Sequence, residues 1–160
     1  FLVDSVEDKN VIEAEDFLKG EFLILKPRKQ WTEGIIAESR KGIPKEHQSK
    51  EGRVLCNYGD SGWGKYVKED KYKKAYFRDE LVEATVDLIK NKWIKDEEFR
   101  CVTSVPSLRR PELVKSFAKR VADSLDIPYQ ELIIKTKETK EQKSMKNSYN
   151  QAMNALECLW

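Results

Sequence analysis

One histidine, His47, and three cysteines, Cys56, Cys101 and Cys158, are the whole supply of imidazole and thiol in 160 residues. A histidine metal cluster and most Ser/His or Cys/His catalytic pairs are thereby excluded, because each needs several such groups within reach of one another. The cysteines are odd in number, far apart and without C-x-x-C spacing. They read as small buried thiols, not as a disulfide framework or a zinc site, and no metal is expected. His47 falls in the polar stretch 42–52 and reads as a solvated loop residue. No apolar run is long enough to span a bilayer and no charged-then-apolar leader opens the chain, so no membrane partner is expected and the cytoplasm, near the nucleoid, is the default location. The phosphate-loop pattern G-x-x-x-x-G-K-S/T is missing too, since the nearest glycine cluster, residues 59–65, has the wrong spacing. ATP hydrolysis is therefore not expected of this chain.

What is present is charge. Charged residues make up 36% and apolar ones only 39%, which predicts a modest core among long solvated loops. The length still suffices for one domain or two small ones. A sequence that opens on Phe1 and stops at Trp160 inside an apolar pattern reads as a fragment. The net charge of +2 conceals an uneven distribution. Residues 1–21 carry seven acids, Asp4, Glu7, Asp8, Glu13, Glu15, Asp16 and Glu21, against Lys9 and Lys19. Residues 61–78 carry Lys65, Lys68, Lys71, Lys73, Lys74 and Arg78 against Glu69 and Asp70, a surplus suited to phosphate.

Periodicity divides the chain in two. Residues 21–25 (EFLIL), bounded by Gly20 and Pro27, predict a strand. Residues 53–58 predict a second, closed by Gly59-Asp60-Ser61-Gly62, and residues 63–67 a third across that turn. With a mobile loop over 40–51, residues 1–75 form a small β-rich module. From Asp79, placed to cap the first turn, Val82, Val86, Ile89 and Trp93 recur at helical spacing with Leu81 and Leu88 beside them, which predicts a helix to about Trp93. Residues 99–105 then read as a buried strand. Pro111 opens a helix whose face is Val114, Phe117, Ala118, Val121 and Leu125, ended by Asp126-Ile127-Pro128, and residues 132–134 supply a further strand. This strand, helix, strand order has the length of a right-handed parallel crossover. A polar segment, 135–147, leads to a last helical stripe of Met145, Tyr149, Ala152, Leu156 and Leu159, whose burial would require further strands. The fold class is α/β, with residues 76–160 forming an incomplete βαβ domain.

Two places could carry chemistry. In an open α/β sheet, ligands collect beyond the carboxyl ends of strands, here residues 104–110, where two serines and the adjacent Arg109 and Arg110 precede a helix start. That pattern also fits a plain strand end with solvated arginines. In residues 61–78, Trp63, Tyr66, Tyr72, Tyr76 and Phe77 interleave with the basic residues. Cations neutralise phosphates while aromatic faces stack on unpaired bases. A small aromatic core beneath a solvated lysine face is the competing reading.

Residues 105–156, beginning VPSLRRPELVKSFAKRVADSL, resemble the first part of a ComF-type phosphoribosyltransferase domain. The resemblance implies a pyrophosphate-binding turn and a mobile substrate loop at Ser107, Arg109, Arg110, Gln142 and Lys143. The family's acidic strand and phosphate loop have no counterpart here, so no catalytic residues are assigned and phosphoribosyl pyrophosphate should gain little over pyrophosphate. Upstream, LKPRKQW (25–31), GRVLCNYGDSGWGKYV (52–67) and YFRDELVEA (76–84) resemble the C-terminal portion of certain bacterial RecQ-family DNA helicases that append such a domain. Together these imply a non-motor accessory region of a repair and recombination helicase, partnered by DNA and the rest of the helicase. ATP and magnesium would belong to the absent motor, and no cofactor to this chain. DNA contacts are expected at Trp63, Lys65, Lys71, Tyr72, Lys73 and Lys74. The alternative is a phosphoribosyltransferase-like fragment whose ligand is a phosphorylated small molecule, pyrophosphate, phosphoribosyl pyrophosphate or a nucleotide.

Overall fold

A computed structural model describes residues 8–35, 42–93 and 98–159. Asp4 and Glu7 of the acidic start, residues 40–41 of the expected loop and Trp160 lie outside the described residues. The described chain is mixed α/β, with helices α1 (Asp8–Gly20), α2 (Trp63–Glu69), α3 (Asp79–Asp87), α4 (Pro111–Leu125) and α5 (Ser148–Cys158). Its sheet has two short antiparallel strands, β1 (Leu23–Leu25) and β2 (Gly52–Val54), with Leu23 opposite Val54 and Leu25 opposite Gly52. None of the described helices is long and apolar enough to cross a membrane.

The N-terminal part departs from the β-rich module expected of it. The acidic start forms α1, with Val11, Ala14 and Leu18 at helical spacing and Lys19 in the last turn, where a cation favours the carbonyl end. Two of its final carbonyls find donors from far along the chain: Trp63 Nε1 donates to Lys19 O at 2.9 Å and Lys92 Nζ to Gly20 O at 3.0 Å. Residues 63–67, expected as a third strand, are instead the body of α2. The cause is Asp60, whose carboxylate accepts the Asn57 N–H at 2.9 Å and the Gly64 N–H at 2.7 Å, capping the helix from outside its first turn. Gly59 closes the loop at φ 81°, and Gly59 N donates to Gly64 O at 3.1 Å. The second expected strand, 53–58, survives only as β2, because this turn begins at Asn57. Within the stretch expected to be a mobile loop, Lys45–His47 form a short 3-10 turn, and Gln48 Nε2 donates to Ile43 O at 2.6 Å. His47 itself is exposed.

The core lies between α3 and α4. Leu81, Val82 and Leu88 from one side meet Leu113, Ala118, Val121 and Ala122 from the other, all buried, with Phe77 set edge-on to Phe117 at 5.4 Å between centroids. The helix predicted from Asp79 continues beyond α3 through a widened π-type turn, Leu88–Lys92. Asp79 does not cap it: Arg78 holds the cap position, and Asp79 pairs with Arg120 of α4. Helix α4 begins at Pro111 and stops at Asp126, whose φ of 56° turns the chain out of the helix.

The parallel crossover is present only in outline. Val102 and Tyr129 form one parallel bridge, with Val102 N donating to Pro128 O at 2.9 Å and Gln130 N to Val102 O at 2.8 Å. Neither expected strand, 99–105 or 132–134, extends from it. Val105, Leu132 and Ile134 remain exposed, and an apolar run with nothing packed on it gains no reason to be extended and paired. The last helix forms as α5, its N-terminus capped by Asn147 Oδ1 accepting the Asn150 N–H at 2.8 Å. Its predicted stripe is displaced: Tyr149 and Leu156 are exposed, and the buried residue is Cys158, whose Sγ donates to Asn154 O at 3.1 Å.

Candidate functional site

An ion-pair cluster fixes the joint between α2 and α3. Asp70 opens a second π-type turn, Asp70–Lys74, and its side chain is fully buried. It accepts the Arg78 backbone N–H at 2.9 Å, Arg78 Nε at 2.8 Å and Arg78 Nη2 at 2.7 Å, with Lys74 Nζ at 3.4 Å. Burial pushes the carboxyl upward, but the side-chain and backbone hydrogen bonds from Arg78 outweigh it and hold the group near 2. The bonds that Arg78 donates, led by those to Asp70, raise it above its ordinary value. The guanidinium also lies 4.1 Å from the Tyr66 ring centroid. This cluster orients the turn that carries Lys71, Tyr72, Lys73 and Lys74.

Beyond that turn lies a cleft of about 730 Å³. It is lined by Lys71 and Tyr72 on one side and by Ser107, Arg109, Arg110 and Gln142 on another. Two of the six expected DNA-contact residues, Lys71 and Tyr72, thus share one cavity with Ser107, Arg109, Arg110 and Gln142 of the other group, and Trp63, Lys65, Lys73 and Lys74 do not line it. Arg110 sits at the join, with its guanidinium carbon 5.4 Å from the Tyr72 centroid and its backbone N–H donating to Ser107 Oγ at 3.3 Å. Arg110 Nη1 is covered and has no hydrogen-bond partner among the described residues. Arg109 projects into solvent and pairs with Glu141. Gln142 is turned toward α5, with Nε2 donating to Gln151 O at 2.8 Å and Oε1 accepting from Asn154 Nδ2 at 2.7 Å. The side chain of Lys143 lies outside the described residues.

The remaining basic and aromatic residues divide by role. Trp63 is half-buried, bonded to α1 and edge-on to Tyr66, so its ring fastens α2 to α1. Lys65 pairs with Glu15 at 3.4 Å, Lys73 with Glu69 at 3.2 Å and Lys74 with Asp70. Lys71 Nζ instead stands 5.6 Å from the ring centroids of both Tyr58 and Tyr72. Tyr58 and Tyr72 are 54% and 55% exposed as residues. Tyr58 escaped the sequence reading because only the Asp60-capped turn folds it back toward Lys71. Tyr72 also lines a smaller cleft of about 440 Å³, with Lys65, Lys68 and Lys73 beside Asp60 and Glu69.

Nucleophile chemistry finds little here. Burial, and then the charge of Asp60, push the Cys56 thiol up to about 11, so it stays protonated at neutral pH. Among the described residues no group of three His, Cys, Asp or Glu side chains is placed to hold a metal ion. What the arrangement offers is an alternation of ring and cation, Tyr58, Lys71, Tyr72, Arg110, beside a cationic cleft. Compared with protein-family models, with curated proteins and with solved structures, the chain has no match in any of the three.

Proposed function

We propose that this chain is a non-motor accessory region that holds single-stranded DNA, in the manner expected of the C-terminal part of a RecQ-type helicase. The helicase context rests on the sequence segments alone. The DNA reading rests on one observation: Lys71 stands between two exposed tyrosine rings, and Arg110 lies against the second of them. Cations spaced between aromatic faces suit unpaired bases joined by phosphates, whereas a duplex hides its base faces. A phosphoribosyltransferase-like reading is favoured by a single feature, the Val102–Tyr129 parallel bridge that brackets α4 and the arginines before it.

Fluorescence anisotropy with a labelled single strand tests the proposal. Affinity is expected to fall steeply with salt, and Tyr72→Ala to weaken binding by roughly 5- to 150-fold, the value of about 1–3 kcal/mol for one stacked base. Lys71→Ala should lower the slope of log affinity against log salt by about one. No binding at low salt, or a titration that Tyr72→Ala leaves unchanged, would refute the assignment.

A further inference from the structure

We infer that the larger cleft is an end-binding pocket: it takes the phosphorylated terminal nucleotide of a single strand, with the base on Tyr72 and the terminal phosphate between Arg109 and Arg110. The inference rests on the single-strand reading above and adds to it the part of the strand that is recognised.

Three observations carry it. The first is size, since about 730 Å³ lies within the range of roughly 300–1,000 Å³ that encloses a small molecule, enough for one nucleotide and not for a track of several. The second is charge. Five cations, Lys71, Arg109, Arg110, Lys135 and Lys140, face the cavity against two carboxylates, Glu138 and Glu141. An internal phosphodiester carries a single negative charge, whereas a terminal phosphate monoester carries about 1.5 to 2 at neutral pH, with three acceptor oxygens. The surplus suits the monoester. The guanidinium groups of Arg109 and Arg110 both line the cavity and carry N–H donors suited to those oxygens. The Glu141 carboxylate now paired with Arg109 stands where such an oxygen would bind.

The third observation separates a strand end from a free nucleotide. Tyr72 lines both clefts, and the smaller one is bordered by three lysines, Lys65, Lys68 and Lys73, against two carboxylates, Asp60 and Glu69. A terminal nucleotide seated in the larger cleft therefore has, in the cleft that shares Tyr72, a second surface with a cationic surplus of one for the phosphates that follow it.

The test uses the full chain and one single-strand sequence prepared with a 5′-phosphate, with a 3′-phosphate, with hydroxyl ends, and as a closed circle. Mononucleotides of the same bases serve as competitors. A phosphate at one end is expected to tighten binding by roughly tenfold or more over the hydroxyl-ended strand, the value of a charge-assisted hydrogen-bond pair. Arg109→Ala, at an exposed position, should remove most of that advantage, and Glu141→Gln should enlarge it. If phosphorylated, hydroxyl-ended and circular strands bind equally, the end pocket is overturned while single-strand binding stands. If no strand binds at all, both fall. A mononucleotide that competes as well as the phosphorylated strand would overturn the assignment of a strand end.

Discussion

Asp70→Asn should lower the unfolding free energy by about 3–5 kcal/mol, the usual consequence of removing one member of a buried ion pair. The substitution keeps the shape of the side chain and removes its charge. Arg78, whose side chain is only 17% exposed, then loses the negative charge and one of the two acceptor oxygens that take its three donors, and keeps Glu69, at 2.9 Å, as its remaining anionic partner. Chemical denaturation followed by circular dichroism reads the loss. A midpoint shift worth less than about 1 kcal/mol would show that Glu69 alone suffices. The pair also sets an acid limit. The carboxyl of Asp70 is held near 2 in the folded chain against an ordinary 3.8, so the folded state binds the proton more weakly than the unfolded one. Its contribution is complete above pH of about 4 and is lost as pH falls through about 2, a difference on the order of 2 kcal/mol. Asp70→Asn should flatten the stability profile over that interval, and an unaltered profile would remove Asp70 as its cause.

Gly64→Ala should cost on the order of 3 kcal/mol or more, at the upper end of overpacking. A methyl group there would lie 1.9 Å from Asn57 O, 2.5 Å from Asp60 Oδ1 and 2.8 Å from Gly59 N. Two of these are backbone atoms in a closed turn, which cannot rotate aside as a side-chain tip would. The same turn positions the α2 N-terminus and Tyr58, so single-strand binding should weaken along with stability. Gly20→Ala is the control, since nothing lies within 4 Å of a methyl group at that position. Equal denaturation midpoints for the two variants would show that the turn opens without cost.

The parts of the fold legible in the sequence are those set by neighbours along the chain. Helix α4 has its start at Pro111, two of its five expected face residues, Ala118 and Val121, buried alongside the unexpected Leu113 and Ala122, and its stop at Asp126-Ile127-Pro128, all within one segment. Helix α2 was misread because the aromatic and β-branched residues Trp63, Tyr66 and Val67 favour a strand, and the decision falls to a carboxylate outside the segment, Asp60. The segment of α1 looked like an acidic stretch because its acids outnumber its apolar residues, although Val11, Ala14 and Leu18 keep helical spacing. The crossover was half legible: strands need partners, and residues 99–105 and 132–134 share only one bridge. At the site, residue types were readable and proximity was not. Tyr72 and Arg110 are far apart in sequence, and the Asp70–Arg78 cluster that aims the turn toward α4 combines a short-range ion pair with long-range packing.

The fastening of α1 bears on the order in which the chain assembles. Its last carbonyls are held by Trp63, 44 residues on, and by Lys92, 72 residues on. Thirteen residues with a mostly exposed apolar face form a marginal helix in water, so α1 is not expected to persist before those two donors have arrived. Closing loops of that length costs chain entropy before any contact rewards it, whereas α3 and α4 can dock across a much shorter connection. The helix that comes first in sequence is thus among the last to become permanent and the first to be released, and its amide protons should exchange with solvent ahead of those in the α3–α4 core.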